Sequence, residues 1–184
     1  MHAVDAAGRS TGDFSSPTVA RWETADTLCQ HTVEGLILHL PKRDGGAQSN
    51  WSTAVNWTDD AEPLEVDDAV IGDSSYAADA YAEVTQANER FSRLTLGEDA
   101  ATTGTLSMSG GALTANETAS GAVVMRIGDQ GTGRFIQTGG VVSNVDHSSF
   151  KYLKLGCNAG SSGSYELRGG RIDGFSHLMV GDGG

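Results

Sequence analysis

Three eleven-residue stretches of this chain align without gaps: Gly104–Thr114, Gly133–Ser143 and Gly163–Asp173. Each opens on glycine, alternates apolar with polar residues, and has Gly-Gly at its seventh and eighth places. Their starts lie 29 and 30 residues apart. A shorter element precedes each: Leu94-Thr95-Leu96-Gly97, Met125-Arg126-Ile127-Gly128 and Leu153-Lys154-Leu155-Gly156. Leu178-Met179-Val180-Gly181 repeats it once more, and Ala69-Val70-Ile71-Gly72 is a weaker early copy. The closing glycines are 25, 31, 28 and 25 residues apart, so the motifs hold while the spacing flexes. Self-similarity at this period marks a stacked repeat architecture.

One unit cannot bury its own apolar face. The two-residue period of Leu94 and Leu96, and of Leu106 and Met108, describes strands with one apolar side. The glycine pairs permit positive φ and turn the chain between strands. Each unit then offers about three short strands, and stacking aligns equivalent residues into inward rows. The predicted rows are Leu94, Met125, Leu153, Leu178; Leu96, Ile127, Leu155, Val180; Leu106, Phe135, Tyr165; Met108, Gln137, Leu167; and Leu113, Val142, Ile172. A buried Gln137 needs hydrogen-bond partners. The expected fold is all-β: a parallel β-helix, or β-solenoid, of about four short coils. At about 4.8 Å per coil these make a rod roughly 20 Å long. An antiparallel sandwich or propeller competes, but two-residue hairpin turns are missing.

Composition divides the chain near Gly97. Residues 1–96 hold 16 acids, 6 bases and 6 glycines, whereas residues 97–184 hold 8 acids, 6 bases and 19 glycines. Residues 1–48 read as an irregular leader, with a short helix expected over Val19–Cys29 and a short strand over Thr32–Leu40. Residues 49–68, with Trp51 and Trp57, read as an N-terminal cap, and 69–184 as repeats. The repeats still run at Gly184, so a fragment of a longer protein is expected, with further coils or an oligomer partner covering the C-terminal end.

The formal charge of -12 makes phosphate backbones poor partners, so nucleic acid is not expected. No apolar run nears the roughly 20 residues of a membrane helix. Met1–Ser10 carries Asp5 and Arg9 and lacks the apolar core of a signal peptide. Cys29 and Cys157 form neither a zinc pattern nor a disulfide framework and read as free buried thiols.

Two features together carry a resemblance. Trp51, Asn56-Trp57, Pro63 and Asp67-Asp68-Ala69-Val70-Ile71 form an opening run, and the Gly-x-[Leu/Phe/Tyr]-x-x-x-Gly-Gly units follow it. Over residues 50–184 this resembles the β-solenoid repeats of autotransporter-type passenger domains and of planctomycete-like bacterial surface proteins. The resemblance implies a secreted or cell-surface location and a structural or adhesion role, with glycans or cell-surface components as partners. No sorting tail or translocating barrel is seen in this sequence.

Enzymatic β-helices, the polysaccharide lyases and hydrolases, are the alternative class, as whole enzymes or accessory glycan-binding domains. They need converging carboxylates with a basic residue on one outer wall. The catalytic candidates are Arg126 and Lys154, which should stack on adjacent coils, with Asp129 at the nearby corner and Glu166 on an outer strand. A solvated face with weak ion pairs is the plainer reading. The run from Asp59 to Glu83 has nine carboxylates and no Lys or Arg. Asp59, Asp60, Asp67 and Asp68 are its candidate ligands for Ca²⁺, a hard cation that takes carboxylate oxygens. The spacing of a calcium loop is absent, so the run reads more simply as a solvated acidic loop. Histidines His147 and His177 stand one repeat apart but in unlike contexts. The expected function is therefore a rigid extracellular stalk without catalysis.

Overall fold

A computed structural model describes residues 50–119, 121–146 and 150–181, and the backbone of four short strands before them. Those four are β1 (Ala3–Val4) with β2 (Ser10–Thr11), and β3 (His31–Val33) with β4 (Leu36–Leu38), each pair antiparallel. The single strand expected over Thr32–Leu40 is thus a hairpin. The helix expected over Val19–Cys29 lies outside the described residues.

From Asp68 onward the chain coils. The first coil comprises β5 (Asp68–Ile71), β6 (Asp79–Val84) and β7 (Glu89–Phe91). The second comprises β8 (Arg93–Leu96), β9 (Thr103–Met108) and β10 (Ala112–Ala115). The third comprises β11 (Ala122–Ile127), β12 (Thr132–Gln137) and β13 (Val141–Asn144). The fourth comprises β14 (Lys151–Leu155), β15 (Ser162–Leu167) and β16 (Arg171–Asp173), and β17 (His177–Val180) begins a fifth. Every strand pairs in parallel with its counterpart one coil away, giving three sheets ordered β5-β8-β11-β14-β17, β6-β9-β12-β15 and β7-β10-β13-β16. This is a β-solenoid of four coils.

The inward rows expected from the repeat are the observed registers. Met125 stands against Leu94 and Leu153, Phe135 against Leu106 and Tyr165, and Val142 against Leu113 and Ile172. The first coil extends them with Ala69, Ile71, Ala82 and Val84. Leu94, Leu96, Leu106, Met108, Met125, Ile127 and Phe135 are fully buried, each contributing roughly 1.5–3 kcal/mol. Gln137, also fully buried, is satisfied: its Nε2 donates to the carbonyls of Gly140 and Arg171 at 3.1 Å, and its Oε1 accepts from the Tyr165 hydroxyl at 2.5 Å. Burial pushes the Tyr165 hydroxyl well above the ordinary phenol range, so it stays a donor.

One residue of the variable repeat length has a local cause, beside loops of unequal length between strands. Between Val123 and Met125 the pairing with β14 shifts, and Val124 is the extra residue, fully buried in the core. A β-bulge absorbs one residue without moving the rows on either side. The corner after the first sheet is invariant by contrast. Gly72, Gly97, Gly128, Gly156 and Gly181 all turn at φ between 65° and 85°. A side chain is disfavoured in this left-handed region, so glycine is the residue that turns there readily.

The cap lies across the first coil. Two short 3-10 turns, Ala54–Asn56 and Thr58–Asp60, bring Trp51 and Trp57 together with ring centroids 4.9 Å apart, edge to face. Trp57 Nε1 donates to the Trp51 carbonyl at 2.7 Å, and Phe91 of β7 lies 6.2 Å from Trp51. Asn50 forms an isolated parallel bridge with Glu83 of β6, so the cap begins as the strand below the coil.

Candidate functional site

The catalytic candidates do not converge. Arg126 and Lys154 do stack, as neighbours in register on the outer side of β11 and β14. Asp129 sits at the next corner, 4.0 Å from the Arg126 guanidinium. Glu166 lies on a different wall, on β15. There it pairs with Arg168 at 2.8 Å and Arg134 at 3.6 Å. The hydrogen bond from Arg168 holds the Glu166 carboxyl below its usual range, so it is a solvated anion. Asp129 accepts a hydrogen bond at 3.1 Å from Asn158, its neighbour one coil on. Among the described residues this basic pair has one carboxylate beside it, Asp129, whereas most glycoside hydrolysis uses two carboxyl groups flanking the bond.

The acidic run is in part the solvated loop its composition suggests, with Asp60, Glu65 and Asp79 exposed. Asp67 and Asp73 are buried, because the run is folded into the cap, β5 and β6. Asp67 Oδ2 accepts from the Leu64 amide at 2.8 Å, closing the turn before β5. Asp68 faces Arg93 at 3.8 Å; burial raises its pKa, with Glu117 adding to the effect and Arg93 opposing it. Asp60 ends the second 3-10 turn in a left-handed conformation. The side chain of Asp59 lies outside the described residues. Among the described residues, Asp60, Asp67 and Asp68 do not gather as one ligand set.

A different acidic group does come together. Asp73, Glu98 and Asp99 place one carboxylate oxygen each within 4.8 Å of one another, at the stacked corners of the first two coils. Asp99 Oδ2 also accepts from the Ser74 amide at 3.0 Å and its hydroxyl, and Asp73 Oδ1 accepts from the Ser75 amide at 2.8 Å. These bonds give the carboxylates a structural use in tying one corner to the next.

Two charged groups inside the coil were not foreseen. Glu89 occupies the inward row that Leu113, Val142 and Ile172 continue, and it is 3 % exposed. Burial, with a hydrogen bond from the protonated Glu89 to Glu62 of the cap and that residue's charge, pushes its pKa up to about 8. A raised folded-state value means the protonated form stabilises the fold fully below the unfolded value near 4.5, and that stability is lost as pH rises through about 8. Thermal melts should therefore fall between these two values. Glu89→Gln, which keeps the shape without the charge, is expected to flatten that dependence and to gain on the order of 1–3 kcal/mol at pH 8.5. An unchanged pH profile in the variant refutes the assignment.

Lys151 is the second. Its side chain is fully buried, two residues before inward Leu153, and Nζ donates to the Ala119 carbonyl at 2.6 Å and pairs with Asp146 at 3.2 Å. Equivalent places hold Ser92 and Ser176, with Ser176 Oγ accepting from the Lys151 amide at 2.8 Å. A lysine long enough to reach both crossing loops ties the second-to-third and third-to-fourth connections together. Cys157 is half-buried; Cys29 and His147 lie outside the described residues. His177 packs beside Tyr152, with ring centroids 5.1 Å apart. No helix among the described residues is long and apolar enough to cross a membrane.

The fold defines a class, the parallel β-solenoids. Beyond that class, no family model, curated protein or solved structure matches the chain.

Proposed function

We propose that this chain is an extracellular structural or adhesion module, a rigid β-solenoid stalk without catalysis. The observation that supports it is the distribution of the outer-wall residues. Three uninterrupted parallel sheets run the length of the described coils. The wall of β9, β12 and β15 presents Thr105, Ser107, Arg134, Ile136, Ser164 and Glu166 in flat rows. Registered rows that are polar but for Ile136 suit contact with extended glycans or other surface components better than turnover of a bound sugar. The secreted or cell-surface location rests on the resemblance to autotransporter-type and planctomycete-like repeats. Ca²⁺ belongs to the same reading as a proposal only.

Screening against pectin, alginate and other polyuronides tests it. Retention of these glycans without product is the expected result. Turnover that disappears in Arg126→Ala or Lys154→Ala, with folding intact by circular dichroism, would overturn the reading in favour of a β-helix lyase or hydrolase.

A further inference from the structure

The two ends of the solenoid are not alike. The cap closes the first coil with Trp51 and Trp57, both fully buried. At the other end the rows run into solvent: Leu167, Leu178 and Val180 are 50 %, 65 % and 71 % exposed. These are row positions, equivalent to buried Met108, Leu94 and Leu96.

What fits this end is shown three times inside the molecule. At each inner corner the positive-φ glycine is covered by the backbone that opens the second strand of the next coil. A Cβ on Gly72 would lie 2.7 Å from the Thr103 carbonyl. One on Gly97 would overlap the Thr132 carbonyl, and one on Gly128 the Ser162 carbonyl. Gly156 has the same φ, yet a Cβ there would meet nothing nearer than 3.8 Å. A shallow depression lined by Leu155, Gly156, Ser162, Gly163, Val180 and Gly181 occupies the corresponding place. The chain already turns into it. The Gly181 amide donates to the Leu155 carbonyl at 2.9 Å, as Gly156 does to Ile127, Gly128 to Leu96 and Gly97 to Ile71 at 2.8–2.9 Å.

We infer that this end is a docking surface for one further glycine-cornered coil, entering from the Gly181 corner and pairing in parallel with β15 and β16. The occupant carries a glycine where it crosses Gly156, as Gly104, Gly133 and Gly163 do at the inner crossings. It places an apolar residue over Tyr165 and another over Leu167, as Leu106 and Met108 stand in the second coil. The inference rests on the coil geometry and is independent of the extracellular reading.

Extending the full chain tests it. Asp182-Gly183-Gly184 has the spacing of Asp129-Gln130-Gly131, so thirteen residues copying Thr103–Ala115, the segment in register with Thr132–Asn144, are added directly after Gly184. Hydrogen exchange of amides in β15 and β16 is expected to slow about tenfold or more, with a higher melting temperature. An extension carrying valine in place of the copied Gly104, the crossing glycine, is expected to leave both at the values of the unmodified chain. The same thirteen residues, given as a free peptide at millimolar concentration to the unmodified chain, are expected to protect the same amides more weakly. Equal exchange with both extensions, or no protection by the peptide, overturns the inference. So does protection of the unmodified chain that grows with its own concentration, since the occupant is then a second copy.

Discussion

Gly133→Ala is expected to destabilise the solenoid by about 3 kcal/mol or more, at or beyond the upper end for overpacking a core. A Cβ at this position would overlap the Gly128 amide nitrogen, and would stand 2.6 Å from the Ile127 carbonyl carbon and 2.8 Å from the Leu96 carbonyl oxygen. All three are backbone atoms, so no side chain can swing aside. Relief requires coils to separate, which breaks the register of β12 with β9 and β15. Gly160→Ala is the matched control. Gly160 turns at φ 83° with nothing within 4 Å of its would-be Cβ, so only the left-handed backbone cost of about 1–2 kcal/mol applies. Urea unfolding of the two variants separates the effects. Equal midpoints would show that close coil stacking does not require the glycine.

Trp57→Ala is expected to cost about 3–5 kcal/mol, the range for truncating a buried aromatic side chain. The ring is fully buried, packs edge to face on Trp51, and ties the cap through its bond to the Trp51 carbonyl. Its loss uncovers Trp51, and through Trp51 the Phe91 end of the first coil. Because each coil touches only its neighbours, the damage should be graded along the rod. Hydrogen exchange should accelerate most in β5, β6 and β7 and least in β15 and β16. Trp57→Phe retains ring packing without the hydrogen bond and should lose about half as much. Uniform acceleration along all coils would contradict the cap's local role.

The repeat was legible because its constraints are local. Alternation of Leu106 and Met108 against Thr105 and Ser107 is the strand period itself, and the glycine corners mark where the period restarts. The five inward rows follow once equal motifs are stacked, and the structure reproduces each. The first coil was only partly legible. Its β6 reads Asp79-Ala80-Tyr81-Ala82-Glu83-Val84, with alanine where later coils have glycine and no Gly-Gly after it. The corresponding corner turns on Asn88 at φ 74°, which asparagine tolerates. Without the glycine signature, its acidic residues resembled a loop. The candidate site was less legible still. Stacking of Arg126 on Lys154 follows from the repeat, but the separation of Glu166 from them depends on which of three walls each strand faces.

Sequence alone determined that this chain stacks parallel coils and which apolar residues of the repeats face inward. Those properties arise from a two-residue alternation and from glycine's freedom at a corner, both written within a dozen consecutive residues. Tertiary structure alone decided which charges are buried. Glu89 enters a row of aliphatic side chains because Glu62 of the cap meets it there. Lys151 enters the core because Ala119 and Asp146, on successive loops, converge on its amine. Asp73, Glu98 and Asp99 meet because coils stack their corners a strand spacing apart. Partners some 25 residues distant become neighbours only when the coil closes, and its closing depends on loop length and bulge position, which the repeat leaves free to vary.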